Sequence, residues 1–77
     1  MEIPLILLDT RRKARIKRIE GGLEFKMKTA SLNVRTGKTV KKIATQPFRG
    51  PVIIEIDGRK ITIGRGMASR IFVEVEG

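Results

Sequence analysis

The stretch that most constrains this chain is Pro47 to Gly64, PFRGPVIIEIDGRKITIG, with Asp57-Gly58 at its centre. Asp-Gly between two alternating apolar runs marks a two-residue hairpin, because a type I′ turn needs positive φ at both central residues. The register then follows: Ile56 opposite Arg59, Glu55 opposite Lys60, Ile54 opposite Ile61, Ile53 opposite Thr62 and Val52 opposite Ile63. Directly opposed residues share a face. One face therefore carries Val52, Ile54, Ile56, Ile61 and Ile63, and the other sets Glu55 against Lys60. A sheet with one dry and one wet face results, and the remaining chain has to cover the dry one.

Seventy-seven residues make one domain with one core. A chain of this size buries roughly 60–65% of the surface it exposes unfolded. With no cysteine there is no disulfide and no thiolate metal site, and with no histidine the usual general base and commonest metal ligand are missing. Ser31 and Ser69 thus have nothing to activate them, and no glycine-rich phosphate loop of the GxxxxGK[ST] type occurs. The residues describe a non-enzyme. Met1 to Leu8 is too short for a membrane span, is interrupted by Glu2 and Pro4, and lacks the charged start of a signal peptide. A cytoplasmic protein is expected. The net charge of +9, from 17 basic against 8 acidic residues, fits either simple solubility or an acidic partner.

Along the chain, Ile3, Leu5, Ile6, Leu7 and Leu8 make an apolar N-terminal segment whose spacing suits a strand, an arm or a first helical turn. As a strand it is apolar on both faces, which raises self-association through it. Arg11 to Arg18, RRKARIKR, alternates Ala14 and Ile16 with Arg15 and Lys17, a strand with a charged outer face and a bulge near Arg18-Ile19. After Gly21-Gly22, Leu23 to Leu32 reads as a helix with Phe25, Thr29 and Leu32 on one stripe and Leu23, Met27 and Ala30 on its neighbour, with Phe25 and Met27 expected in the core. Asn33 suits the left-handed position that ends a helix. Lys38 to Gln46 reads as a bent strand with Val40, Ile43 and Ala44 apolar. Pro47 and Pro51 bracket a tight loop in which Gly50 is free to take positive φ, and Pro51 opens the next strand. Arg65 to Arg70 allows one helical turn. In the last strand, Ile71 to Glu76, Phe72 is the apolar residue on the outward side with Glu74 and Glu76. The sum is a mainly β chain. It has five short strands in a small, partly open barrel, a short α-helix after the first strand and a single helical turn before the last.

This order of residues resembles the FeoA family, ferrous-iron transport protein A, from about Ala14 to Val75. The resemblance rests on RIKRIEGG, then Leu32, Asn33, Val34 and Gly37, then PFRGPVIIEIDGRKITI, and finally Ala68 with Ile71 and Val73. It departs from the family at Asn33, where Gly is usual, at Thr29, where Leu is usual, and at Thr10-Arg11-Arg12, where a Gly-containing turn is expected. The resemblance implies an SH3-like barrel: a single domain over residues 1–77, with residues 1–12 as an arm and 13–76 as the barrel. It also implies a non-enzymatic accessory or regulatory role in ferrous iron uptake, docking on the cytoplasmic part of a FeoB-type permease.

The partner surface is expected at the helix end and following turn, with Leu32, Asn33 and Arg35, and at Phe72. Two further readings compete. A basic RNA- or DNA-binding barrel draws on Arg11 to Arg18 with Lys38, Lys41 and Lys42, but is disfavoured because base stacking needs aromatics and the chain has three Phe and no Tyr or Trp. A metal-responsive regulatory domain, similar to the C-terminal domain of iron-dependent repressors, is disfavoured by the missing His and Cys. No cofactor is expected. Association with Fe²⁺ would fall to carboxylates such as Glu74 and Glu76, which lack the nitrogen ligands that transition metals favour and form no evident ligand cluster.

Overall fold

The computed structural model of the chain describes residues 1–75. The hairpin forms as its sequence dictates. Strand β4 (Val52–Ile56) pairs with β5 (Arg59–Ile63) in the expected register, and Asp57 and Gly58 take φ of 52° and 75°. The other elements are β1 (Glu2–Pro4), a 3-10 turn (Leu5–Leu7), β2 (Lys13–Ile19), helix α1 (Leu23–Ser31), β3 (Thr39–Thr45), a short helix α2 (Arg65–Ala68) and β6 (Ile71–Val75). Among the described residues six strands build one antiparallel sheet in the order β1-β6-β2-β3-β4-β5. This is the mainly β, SH3-like architecture expected, with one strand more than five.

The extra strand comes from the N-terminal segment. Residues Glu2 to Pro4 pair with Glu74 to Phe72 of β6, so the stretch expected as an arm is built into the sheet. Pro4 then turns the chain into the 3-10 turn, and the spacing of three residues sends Leu5 and Leu8 into the core while Leu7 stays outside. The core between these elements is aliphatic. It takes Ala14 and Ile16 from β2, Val40 from β3, alternate residues of the hairpin, Ile71 and Val73 from β6, and Val34 and Ala68 from the connections. Among the described residues it holds no aromatic ring, so its cohesion comes from branched side chains interlocking on a pleated surface.

Two irregularities bend the sheet. The register slips between Ile16 and Arg18 in β2, one residue earlier than the sequence suggests, and between Lys42 and Ala44 in β3. The second slip lies after Lys42, so Val40 and Lys42 share the core face by plain alternation and only the residues beyond the slip are re-aimed. Val40 is buried as expected, but Ile43 and Ala44 are only half-buried, and the other inward residue is Lys42, 5% exposed. Its Nζ donates to the Ile6 carbonyl at 2.8 Å, tying β3 to the N-terminal turn. Burial holds this lysine below its usual pKa, with Arg65 pushing the same way and Asp9 opposing.

The β3–β4 loop also departs from expectation. Positive φ falls on Phe48 and Arg49, both at 59°, and not on Gly50. Gly50 is required for space: a Cβ there would lie 2.6 Å from the Gln46 Cβ. Phe48 ends at the loop tip, 99% exposed. Glu76, expected at the end of the last strand, lies outside the described residues, and with it the Glu74–Glu76 pair.

Candidate functional site

Helix α1 is short, and how it ends shapes the surface around it. Asn33 adopts φ of 65°. Its N–H bonds to the Ala30 carbonyl at 2.9 Å, and the Val34 N–H bonds to the Thr29 carbonyl at 2.9 Å. This is the double closure of a Schellman motif, which satisfies the last carbonyls of the helix and turns Val34 back onto Thr29. Both residues are buried. The hydroxyl of Thr29 is satisfied within the helix, donating to the Lys26 carbonyl at 2.9 Å.

The same motif holds the helix end against the β4–β5 hairpin. The Asn33 side-chain amide donates to the Asp57 carboxylate, and Lys38 Nζ reaches the same oxygen at 2.8 Å. The hydrogen bond from Lys38 is the main reason the Asp57 carboxyl sits below its usual pKa. Between helix end and hairpin lies a pocket of about 110 Å³ lined by Ser31, Leu32, Asn33, Ile56, Arg59 and Ile61. Leu32, Ile56 and Ile61 supply apolar surface and Arg59 a cation. The chemistry on offer is recognition of an aliphatic side chain beside a negative charge.

Of the four residues expected at the partner surface, the structure brings Leu32 and Asn33 together in this pocket. Arg35 is exposed and lines a separate cleft, with Ile19, Lys26, Thr29, Ala30, Val34 and Thr36. Phe72 belongs to neither. It lies on the outer face of the sheet, paired with Pro4 of β1 and Arg18 of β2, and the Arg18 guanidinium sits 4.1 Å from its ring centroid. Arg18 also meets Glu2 at 3.2 Å and pairs with Glu20, so part of the basic run is neutralised in place.

Sequence reasoning missed three surface features. Met27, expected in the core, is 63% exposed, and Leu23 on the same stripe is 75% exposed, because Thr29 and not their stripe faces inward. Arg59 and Ile61 join the helix end only because the fold brings them there. Phe48 is presented alone at a loop tip. Among the described residues no group of three or more Asp or Glu could hold a metal ion. Glu74 is drawn below its usual pKa chiefly by a hydrogen bond from the Met1 amino group. No helix among the described residues is long and apolar enough to cross a membrane.

Over residues 3–75 the chain matches the FeoA domain family. A Methanocaldococcus jannaschii protein named Fe(2+) transport protein A is 35% identical over 71 residues, covering 92% of this chain and 84% of that protein. The crystal structure of an iron uptake regulatory protein, FeoA, aligns with a TM-score of 0.90 at 29% identity over 99% of both chains. A manganese-dependent transcriptional repressor shares the fold, with a TM-score of 0.89 at 18% identity over 97% of this chain and 42% of its own.

Proposed function

The chain belongs to the FeoA family, and from that membership we propose that it is a non-enzymatic accessory protein of ferrous iron uptake that docks, in the cytoplasm, on a FeoB-type permease. The observation that carries this reading is the agreement in fold, along the full length of both chains, with the iron uptake regulatory protein FeoA. The relative from Methanocaldococcus jannaschii, named for Fe(2+) transport, supports the same process. Mechanistically the barrel is a scaffold. Its aliphatic core and hydrogen-bonded sheet hold loops and rims in fixed positions, where binding modules carry their contacts. The docking surface runs from Leu32 and Asn33 at the end of α1 to Arg35, with Phe72 as a second contact. Docking would bias the permease by binding one of its conformations better than another.

The test is calorimetry of the chain with the soluble cytoplasmic domain of the permease, with circular dichroism of each variant. Arg35→Glu should leave the fold intact and mainly slow association, since Arg35 is exposed at a rim. Phe72→Ser should mainly speed release, because it removes a ring already half-buried beneath Arg18. Folded variants of both kinds that bind like the parent would place the contact elsewhere, with Arg11 to Arg18 the next surface to test.

A further inference from the structure

The sheet has two edges, and they are built differently. At β1 the edge is three residues long and ends in Pro4, which has no N–H to offer. At the other edge β5 runs five residues, Arg59 to Ile63, with no proline and no register slip against β4. A two-residue turn makes Ile56 and Arg59 a hydrogen-bonded pair, and the alternation of an antiparallel ladder makes Ile54 with Ile61 and Val52 with Ile63 bonded pairs too. The N–H and C=O groups of Lys60 and Thr62 therefore point away from β4. Among the described residues no hydrogen bond of the chain takes them up. Both side chains are exposed. Beside this edge, on its core-facing side, lies the pocket of Leu32, Ile56 and Ile61 with Arg59 at its rim.

We propose that β5 is a docking edge for an extended acidic peptide, which adds to the sheet as a seventh strand, sets an aliphatic side chain into the pocket and meets Lys60 on the outer face with carboxylates. A strand's side chains alternate between faces, so a peptide on this edge presents one set to the pocket and the other to the outer face beside Lys60. That face is basic here: the cross-strand row from β2 to β5 runs Lys13, Lys41, Glu55, Lys60, three lysines to one glutamate. Asp57 adds no free negative charge at the site, because Lys38 and Asn33 already bind its carboxylate. Charge also selects the occupant. A second copy, itself carrying +9, would bring a further net positive charge to this basic edge, and like charges brought together are repulsive. An acidic strand removes that repulsion and supplies main-chain bonds, the mode of β-strand addition. The proposal depends on the permease reading only for whose segment the peptide is, so its test uses a free peptide.

The probe is a capped nine-residue synthetic peptide alternating valine or leucine with aspartate or glutamate, titrated into the ¹⁵N-labelled chain. Amide shifts should centre on Arg59 to Ile63 and on Leu32 and Asn33, and the Lys60 and Thr62 amides should gain protection from hydrogen exchange. Thr62→Pro deletes one outward N–H at an edge position and should weaken binding about tenfold, the loss of one strand hydrogen bond. A peptide with the same alternation but N-methylated on one edge should likewise lose binding, whatever the fold of the variant. A peptide with lysine in place of its acids should not bind. The proposal is overturned by shifts confined to other strands, by no shift at millimolar peptide, or by an N-methylated peptide that binds equally. It also falls if sedimentation shows the chain alone dimerising through β5, which would make a second copy the occupant.

Discussion

The hairpin turn gives the sharpest test of the physical reasoning. Gly58 holds φ of 75°, and a Cβ built on it meets nothing within 4 Å. The Cβ of a valine therefore meets no neighbour, and the cost of the substitution is chiefly conformational. An L-residue in the left-handed region costs about 1–2 kcal/mol, and β-branching raises this, so Gly58→Val should cost about 1–3 kcal/mol. In a domain of this size each kcal/mol moves the melting temperature by about 4–8 °C. A fall of roughly 5–20 °C follows. Gly66 is the control. It lies inside α2 with ordinary helical φ and equally open space around a Cβ. There Gly66→Ala removes only unfolded-state freedom and should stabilise by about 0.4–1 kcal/mol. Thermal unfolding followed by circular dichroism reads both. The reasoning is refuted if Gly58→Val melts with the parent, or if Gly66→Ala lowers the melting temperature as much as Gly58→Val does.

Two further outcomes are expected. Arg11 lies in the Thr10-Arg11-Arg12 stretch, where the resemblance implies a Gly-containing turn, and holds φ of 69°, while its N–H bonds to the Lys42 carbonyl at 2.6 Å. Arg11→Gly keeps that bond and relieves the backbone, so chemical denaturation should show a gain of about 0.5–1 kcal/mol, strain relief less the added freedom of the unfolded chain. Lys42 is held below its ordinary pKa by burial. The unfolded chain then binds more protons than the folded one between the lowered value and the ordinary one, so stability should rise with pH across that window. No tyrosine or cysteine titrates there. In Lys42→Met the rise should disappear, and below the window the variant should gain from losing a buried charge while it forfeits about 1 kcal/mol at the unpaired Ile6 carbonyl. A parent whose stability is flat through the alkaline range would contradict this account of Lys42.

The sequence by itself determined what is local. Asp57-Gly58 set both the turn and the register of β4 on β5, because a two-residue turn leaves one way to match alternating faces. Asn33 marked the helix end, because few side chains tolerate the left-handed backbone. Ala14 and Ile16 showed which side of β2 faces the core. The residues carrying the family resemblance lie mostly at these turns and core positions, which is why the fold class and family were legible before the structure. Only the tertiary structure decided the non-local matters. Leu23, Met27 and Ala30 have the same helical spacing as Phe25, Thr29 and Leu32, so periodicity could not tell which stripe faces in; contact with Val34 made it the side of Thr29. Lys42 shares the inward face of Val40 by plain alternation, ahead of the slip at Ile43, but the Ile6 carbonyl that satisfies it comes from the N-terminal turn, and no count of apolar residues could reveal that partner. The pocket joins Leu32 to Arg59 across 27 positions of chain. The free edge of β5 exists because β6 inserts between β1 and β2, leaving β5 last in the sheet. Strand order depends on pairings far apart in the chain, and those are set by the collective burial of the core.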